Sequence, residues 1–212
     1  MGNLCRSLER YLRYGHHESI ATTVDSSGRP NSAPMGIELI GDKVLMKPYL
    51  NTRTYANILS LREVMLNITT DAFLFYQTLF NSEEVRYGSP KIIKPPRILG
   101  SVDLYVECVV DTITHYEDFA LISLRPICCY RGRGSRLAYS RANSAVIEAL
   151  IHYTKLPHLI SKGDLEGIRR RYAVLEASRN MVLKVGSDTL KKVVEDVWDR
   201  SLRLIREAGI TF

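Results

Sequence analysis

No run of apolar residues in this 212-residue sequence approaches the roughly 18 that a membrane-spanning helix requires. The N-terminal stretch also lacks the apolar segment of a secretory signal, and Arg6 stands where a myristoylation signal requires Ser or Thr. We therefore expect no membrane anchor and no signal peptide. The composition, 45% hydrophobic and 25% charged residues, is typical of a soluble globular protein, and the length suffices for one large domain with an appendage.

Cysteine is scarce and poorly spaced for disulfide or metal chemistry. No C-x-x-C pair is present among the four residues, which are Cys5, Cys108, Cys128 and Cys129. His16 and His17 are adjacent but have no third ligand nearby, so no metal site is predicted. The lack of a disulfide framework is typical of a reducing compartment, and we therefore predict a cytoplasmic location.

Familiar catalytic signatures are also missing. The sequence contains no P-loop, no G-x-G-x-x-G turn, no nucleophile elbow and no zinc-ligand spacing. No pair of carboxylates stands out, and His115, His152 and His158 have no evident partner in sequence; for His152 we favour a hydrogen-bonded structural role. We therefore predict no catalytic side chain, and any reaction would depend on a cofactor that the protein binds and orients.

The positive charge is concentrated in the C-terminal part of the chain. Residues 1–131 contain 14 Lys and Arg against 14 Asp and Glu, whereas residues 132–212 contain 15 against 9, which accounts for the whole formal charge of +6. Two interpretations remain open. The helical surface is basic and simply solvated, or it faces the phosphate groups of a cofactor, a nucleotide or a nucleic acid.

Period-two patterns predict about six strands. Apolar residues alternate with more polar ones most regularly over residues 102–110. Turn signals at 25–28 and 41–42 separate the first three strands. Because no β-α-β rhythm is present, the pattern predicts an α+β fold built on an antiparallel barrel, with strands at 19–24, 31–40, 43–46, 63–69, 98–116 and 119–130.

Helical patterns dominate the chain after the glycine-rich break at 131–135. We place a domain boundary there, with a barrel domain at 1–131 and a helical subdomain at 132–212 that packs on the barrel or at a dimer interface. Pro157 is expected to stop the first of three long helices. Residues 81–96 are predicted as a long loop and a candidate mobile lid. Helices are predicted at 3–13, 72–80, 141–155, 164–180 and from 187 or 188 to just before Gly209.

The stretch 47–59 offers the clearest candidate binding site. It begins after a strand and ends in a short helix with an apolar face. Capping residues, hydroxyl donors and one fixed cation stand at the helix start, namely Asn51, Thr52, Arg53 and Thr54. Because a helix start has unpaired N–H groups and the positive end of a dipole, it suits an anion such as a phosphate. The alternative is that Asn51 or Thr52 only caps the helix.

Pro34 and Gly36 interrupt the second predicted strand, because Pro removes a backbone donor and Gly removes a side chain. Two interpretations fit this pattern. In one, the strand contains a plain bulge or a barrel corner at this point. In the other, the strand is thinned there because a flat ligand approaches it closely.

Several segments, in this order and spacing, resemble the FMN-binding split-barrel proteins related to flavin reductases. They are the A-T-T-V-D-S-S-G-R-P-N-S-A-P-M-G meander, a strand ending at Lys47-Pro48, the N-T-R-T-Y-A-N helix start and the L-N-I-T strand. The stretch from Tyr139 to His152 is similar to the C-terminal signature of an archaeal group defined as a domain of unknown function. The resemblance covers most of residues 18–156 and implies a split β-barrel with bound FMN and a helical C-terminal extension.

The resemblance also implies roles for individual residues. The FMN phosphate would be held by Thr52, Arg53, Thr54 and Asn57. The isoalloxazine ring would lie along Asn31, Ser32, Ala33, Pro34 and Met35, with Asn67 on the neighbouring strand. Because such proteins are usually two-fold dimers with flavin at the interface, the loop 131–136 with Arg141 and Asn143 would face the cofactor of a second subunit. Ser140 departs from the Asn expected before Arg141.

Three functions remain open from the sequence. The first is an FMN-dependent oxidoreductase resembling flavin reductases, which transfers hydride through flavin N5 and takes it from a reduced nicotinamide or deazaflavin donor. The second is a flavin-binding carrier or sensor without turnover. The third is a nucleic-acid-binding module, which the basic C-terminal part suggests but for which interleaved aromatic stacking residues are lacking. We expect the first, in a homodimer without a membrane or nucleic-acid partner.

Overall fold

The structure is a computed structural model that describes residues 8, 11, 12, 16–134 and 141–211. Two compact units are present within these residues. The barrel unit comprises the described residues up to Thr69 together with 77–134, and the helical unit comprises 70–76 together with 141–211. No helix in the described parts of the chain is both long enough and apolar enough to cross a membrane.

The barrel unit contains the strands β1 (His16–Val24), β2 (Pro30–Ile40), β3 (Lys43–Met46), β4 (Glu63–Ile68), β5 (Tyr87–Gly88), β6 (Arg97–Ile98), β7 (Leu104–His115) and β8 (Ala120–Arg131). Six of these strands close an antiparallel barrel in the order β1-β2-β3-β8-β7-β4. The strands β5 and β6 pair as a small separate sheet. The predicted α+β fold with an antiparallel barrel and a C-terminal helical region is therefore confirmed.

Alternation along the strands separates the barrel core from its outer face. In β7, Leu104 and Val106 are buried in the core, as the period-two pattern predicted. Tyr105 and Glu107 lie on the other face of the strand and are nevertheless buried, at 1% and 0% exposure. Residues 85–98, which we call the flap, contribute hydrogen-bond partners to both of these side chains.

The predicted strand at 98–116 is shorter than expected. Gly100 adopts a φ of 145°, and the chain turns there before β7 begins at Leu104. Ile98 instead pairs with Tyr87 in the small sheet. The alternating pattern continues across this turn in the sequence, which is why it did not reveal the interruption.

The predicted helix at 3–13 lies outside the described residues except for Leu8, Tyr11 and Leu12. Leu8 and Leu12 are buried in the barrel core, and the N–H of Leu12 donates to the Leu8 carbonyl at 2.9 Å. The apolar spacing that suggested the helix therefore identified two core residues.

The α-helices bounded in the described parts of the chain are α1 (Arg53–Leu61), α2 (Ala72–Phe80), α3 (Arg141–Lys162), α4 (Leu165–Val185) and α5 (Asp188–Glu207). Capping explains where two of them begin, as the sequence predicted. Asp71 accepts the N–H of Phe73 at 2.9 Å at the start of α2. Ser187 caps α5 by accepting the N–H of Leu190.

The prediction that Pro157 ends α3 is wrong. The helix continues through Pro157 to Lys162, and the chain then turns at Gly163 with a φ of 66°. Pro157 is exposed whereas its neighbour Leu156 is fully buried, so the proline lies on the solvent side of the helix. There it removes one backbone hydrogen bond but leaves the packed side intact. The helix α4 also extends beyond its predicted end, to Val185.

Candidate functional site

The start of α1 lies in the stretch that the sequence predicted as a candidate anion site. Thr52 is the N-cap: its hydroxyl oxygen accepts the N–H of Tyr55 at 3.2 Å, and its proton is donated to the Tyr49 carbonyl at 2.7 Å. The first hydrogen bond of the helix runs from the N–H of Ala56 to the Thr52 carbonyl. The N–H groups of residues 53 and 54 come before it and therefore have no acceptor within the helix. No acidic residue stands in the first turn. The positive end of the helix therefore lacks a carboxylate from its own first turn.

A cleft of about 430 Å³ opens beside this helix start. The turn between β1 and β2, the first residues of β2 and the first turns of α1 form its walls. Its lining residues are Asp25, Arg29, Pro30, Asn31, Arg53, Ala56 and Asn57. The structure thus brings together three residues that the resemblance connected with FMN, namely Asn31, Arg53 and Asn57.

Two side-chain amide hydrogen bonds, one buried and one partly buried, hold α1 against the first two strands. Asn31 donates from Nδ2 to Thr54 Oγ1 at 3.1 Å, and Asn57 donates from Nδ2 to Thr23 Oγ1 at 3.0 Å. Thr54 is only 2% exposed, and its hydroxyl acts as the acceptor of the Asn31 bond, so that bond leaves the hydroxyl proton for another partner. Both walls of the cleft are therefore fixed relative to each other before any ligand arrives.

Two guanidinium groups and one carboxylate give the cleft a net positive charge. Arg53 is exposed and forms no ion pair with another described residue. Arg29 has an 81% exposed side chain and pairs through Nε with Asp25 at 2.8 Å. The Asp25 carboxylate also accepts the N–H groups of Ser27 and Arg29, and the latter bond is the main cause that lowers the Asp25 pKa. Asp25 therefore stays ionised and holds Arg29 beside the cleft.

The sequence did not identify Asp25 and Arg29 as site residues. The turn itself was predicted at 25–28, and an Asp at the first position of such a turn commonly accepts the N–H two residues later. Arg29 is the residue that directly follows this turn. Nothing in the sequence shows that this turn faces the start of α1.

Among the described residues, one edge of β2 has no strand partner from Pro30 to Gly36. The strand β3 pairs only with Ile37–Ile40, whereas β1 pairs continuously with residues 30–38. Because this pairing has no register shift at Pro34 and Gly36, the bulge interpretation is wrong. A Cβ at Gly36 would lie 3.9 Å from the nearest atom, a Glu18 carboxylate oxygen, so crowding within the protein does not require glycine there.

The residues predicted to contact the flavin ring divide between the two faces of β2. Asn31, Ala33 and Met35 lie on the face that continues into the barrel core. Ser32 and Pro34 lie on the outer face. A flat ligand can therefore approach all five only along the free edge of the strand.

Asn67 does not line the cleft. It is fully buried, and its Nδ2 donates to the Ile20 carbonyl and to Thr22 Oγ1, both at 3.0 Å. Its Oδ1 accepts the N–H of Ile98 at 2.9 Å. Both donor hydrogens of Asn67 are thus used within the barrel unit.

Only some of the residues predicted to face a second subunit belong to the part of the chain that the structure describes. Asn143 donates to the Thr70 carbonyl and accepts the N–H of Ala72 at 3.3 Å, so it holds the start of α2 within the helical unit. Gly132 donates its N–H to the Asp103 carbonyl at 3.0 Å. The side chain of Arg141 and residues 135–140, including Ser140, lie outside the described structure.

His152 has the structural surroundings that the sequence predicted. Its Nδ1 lies 3.4 Å from Arg171 Nη1, and its Nε2 lies 3.6 Å from a Glu148 carboxylate oxygen. Burial is the main cause that lowers the His152 pKa, and Arg171 acts in the same direction. A neutral imidazole at this position can accept a hydrogen bond from Arg171.

Comparison with solved structures defines the class of fold. The chain matches an FMN-bound protein from Methanosarcina mazei with a TM-score of 0.74 and 21% identity, over 91% of this chain and 99% of that one. It also matches a 2-nitrobenzoate 2-nitroreductase from Pseudomonas fluorescens with a TM-score of 0.50 and 15% identity, over 62% and 73% of the two chains. The barrel with its helical extension therefore has the fold of the flavin reductase-like split barrels.

The sequence places the chain more narrowly within this class. The profile of the family described as protein of unknown function (DUF447), N-terminal domain, matches residues 17–129, which is more than half of the chain. The chain belongs to this family. The M. mazei protein is assigned to DUF447 as well, and the resemblance inferred from the segments above is confirmed.

Proposed function

We propose that this protein binds FMN in the cleft beside α1 and acts as a flavin-dependent oxidoreductase. The observation that carries the proposal is the open helix start. The first turn of α1 offers its N–H groups and contains no acidic residue, and Arg53 from this turn lines the cleft; Thr54, the next residue, is buried. A phosphate group fits these donors. The fold shared with the FMN-bound M. mazei protein supports the assignment.

These donors are sufficient for useful affinity. Three or four charge-assisted hydrogen bonds, each contributing about 1.5–3 kcal/mol, give about 4.5–12 kcal/mol, a range that includes the roughly 8 kcal/mol that micromolar binding requires. Arg29 adds a second cation at the cleft, and Asp25 holds it there. Thr52 contributes as the cap, while Asn57 fixes the wall through its bond to Thr23.

The isoalloxazine ring lies along the free edge of β2, beside Asn31, Ser32, Ala33, Pro34 and Met35. Main-chain groups on this edge have no strand partner, so they are available to the polar pyrimidine side of the ring. Pro34 can offer only its carbonyl, because proline has no N–H. Residues of this chain therefore bind and orient the flavin mainly through the backbone.

When bound, FMN supplies hydride transfer at its N5 atom. The protein needs no acid or base residue for this step, which agrees with the lack of a catalytic signature in the sequence. A reduced nicotinamide or a deazaflavin is the donor class.

We also infer a homodimer in which Arg141 and Asn143 lie near the flavin of the other copy. Light scattering of the purified protein measures the number of copies in the assembly.

The decisive experiment identifies the bound ligand. We expect the purified protein to be yellow and to release FMN on heating, identified by absorption spectrum and mass. Anaerobic addition of reduced nicotinamide or a deazaflavin donor should then bleach the colour. A colourless protein that takes up no added FMN would contradict the proposal. A yellow protein that no donor bleaches would indicate a flavin carrier or sensor.

A further inference from the structure

Four polar side chains form one hydrogen-bonded series across three strands and the flap. Asn67 on β4 donates to Thr22 Oγ1 on β1 at 3.0 Å. Thr22 Oγ1 lies 2.8 Å from Ser32 Oγ on β2, and Ser32 Oγ lies 3.0 Å from the Tyr87 hydroxyl on β5. Asn67 and Thr22 are fully buried, and Ser32 is 7% exposed. We call these four residues the hydroxyl chain.

The direction of the hydroxyl chain is fixed at its buried end. Asn67 Oδ1 accepts the N–H of Ile98 at 2.9 Å, which determines the orientation of the amide. Both hydrogens of the amide nitrogen are then donated, one to the Ile20 carbonyl and one to Thr22. Since the Thr22 hydroxyl acts as an acceptor there, its own proton is directed to Ser32, the other hydroxyl in contact with it.

The outer end of the chain therefore carries one proton that the chain itself does not use. If Ser32 donates to Tyr87, the phenol proton is left over; if Tyr87 donates to Ser32, the serine proton is left over. Burial raises the pKa of Tyr87, so the phenol is protonated at neutral pH in either case. The pair of Ser32 and Tyr87 is consequently a net hydrogen-bond donor.

We propose that Ser32 and Tyr87 together donate one hydrogen bond to a pyrimidine carbonyl of FMN, with Asn67 and Thr22 as positioning residues that fix its direction. This inference rests on the proposed function, because Ser32 belongs to the stretch of β2 along which the ring is placed. The pyrimidine carbonyls are acceptors, and negative charge accumulates on that side of the ring on reduction. A donor there stabilises the reduced flavin and raises its midpoint potential.

The test removes both hydroxyls with the double variant Ser32→Ala/Tyr87→Phe. The matched control is Ser201→Ala/Tyr76→Phe in the helical unit, which removes the same two kinds of hydroxyl; Ser201 donates to the Val197 carbonyl and Tyr76 to Asp196. Three quantities are measured: the FMN dissociation constant from fluorescence quenching, the visible absorption maxima of the bound flavin, and its midpoint potential.

We expect the double variant to bind FMN about three- to tenfold more weakly, the effect of one hydrogen bond. Its absorption maxima should shift and its midpoint potential should become more negative, whereas the control retains all three values. Tyr87→Phe alone, which keeps the aromatic ring in place, should show a smaller change in the same direction and serves if the double variant does not fold.

Wild-type affinity, absorption and potential in a folded variant would overturn this inference and leave the proposed function standing. Failure of the wild-type protein to bind FMN would instead overturn the proposed function, and this inference with it.

Discussion

The barrel unit contains two clusters of neighbouring main-chain N–H groups, and they differ in whether a carboxylate of the protein accepts them. In the flap, the N–H groups of Lys91, Ile92 and Ile93 are donated to the Glu107 carboxylate at 2.6, 2.7 and 3.1 Å. Glu107 is fully buried. At the start of α1, by contrast, the first turn has no carboxylate and Arg53 is exposed. The protein fills the first cluster with its own carboxylate, whereas the second is where we propose that the FMN phosphate binds.

The filled cluster also bears on the predicted lid at 81–96. Besides Glu107, the flap is held by Glu63, which accepts the N–H of Lys94 at 2.8 Å, and by Tyr105, which donates to the Ile98 carbonyl at 2.7 Å. Opening the flap would expose a buried carboxylate and leave several N–H groups without partners. We therefore expect this segment to stay closed in the native state and to act as a wall of the barrel.

The largest effect is expected from Glu107→Ala. The variant leaves three N–H groups of the flap without their acceptor, so the free energy of unfolding should fall by about 3 kcal/mol. Urea denaturation measures this change, and amide hydrogen exchange at residues 91–93 shows whether the flap opens. The control Glu63→Ala removes one bond at an exposed site and should cost about 1 kcal/mol or less. Equal losses for the two variants would contradict the comparison.

The second effect concerns the open cluster. Arg53→Ala should raise the FMN dissociation constant by about 10- to 100-fold, because one charge-assisted contact to phosphate is lost, and should leave stability nearly unchanged. Fluorescence titration with FMN measures the affinity. Arg170→Ala removes a cation that pairs with Glu166 on the exposed surface of α4, and it should bind FMN as the wild type does. A similar loss in both variants would show that only net charge matters.

A smaller effect tests the placement of the ring along β2. Gly36→Ala should leave stability unchanged or improve it by about 0.5–1 kcal/mol, because the new Cβ makes only an ordinary van der Waals contact with the Glu18 carboxylate. FMN affinity should nevertheless fall roughly threefold, because the added methyl group would crowd a flavin ring that lies along β2. Gly132→Ala should instead lower the free energy of unfolding, because its Cβ would lie 1.8 Å from the Val102 carbonyl oxygen and strain the fold. Unchanged FMN affinity in Gly36→Ala would place the ring elsewhere.

The smallest effect is a pH dependence in the helical unit, where the His152 side chain is only 12% exposed. Its pKa is lowered in the folded protein, so the unfolded chain binds the proton more readily. The contribution of His152 to stability is therefore complete above its unfolded pKa of about 6.5 and is lost as the pH falls below that value. Denaturation at pH 7.5 and 5.5 should show this loss, and His152→Gln should reduce it. If His152→Gln lost as much stability between pH 7.5 and 5.5 as the wild type does, the effect would belong to another group.

Local signals explain which parts of the fold were predictable. The alternation over 104–110 and the capping of α1 by Thr52 each depend on residues close in sequence; the first prediction is confirmed, and the cap that the sequence offered as an alternative role for Thr52 is present. Pro157 shows the limit of such rules, because a proline on the exposed side of a long helix does not end it when the packed side continues. The turn at Gly100 shows a similar limit for strands, because the alternating pattern continues across a point where the strand is interrupted.

Long-range partners explain what the sequence could not show. Glu107 meets the flap at residues 91–93, and Tyr87 meets Ser32 across 55 positions of sequence. Neither pair shares a spacing or a motif, so only the folded barrel brings them together. Only the resemblance connected Asn67 with the flavin, and the structure adds that its amide hydrogens are donated within the barrel unit.

The proposed binding site makes its main contacts to the phosphate at the start of α1. Titration of the flavin-free protein with FMN and, in parallel, with riboflavin measures the contribution of the phosphate group alone. We predict micromolar or tighter binding of FMN and at least about tenfold weaker binding of riboflavin, because riboflavin cannot use Arg53, Thr54 and the open N–H groups. Equal affinity for the two flavins, or no binding of either, would contradict the account.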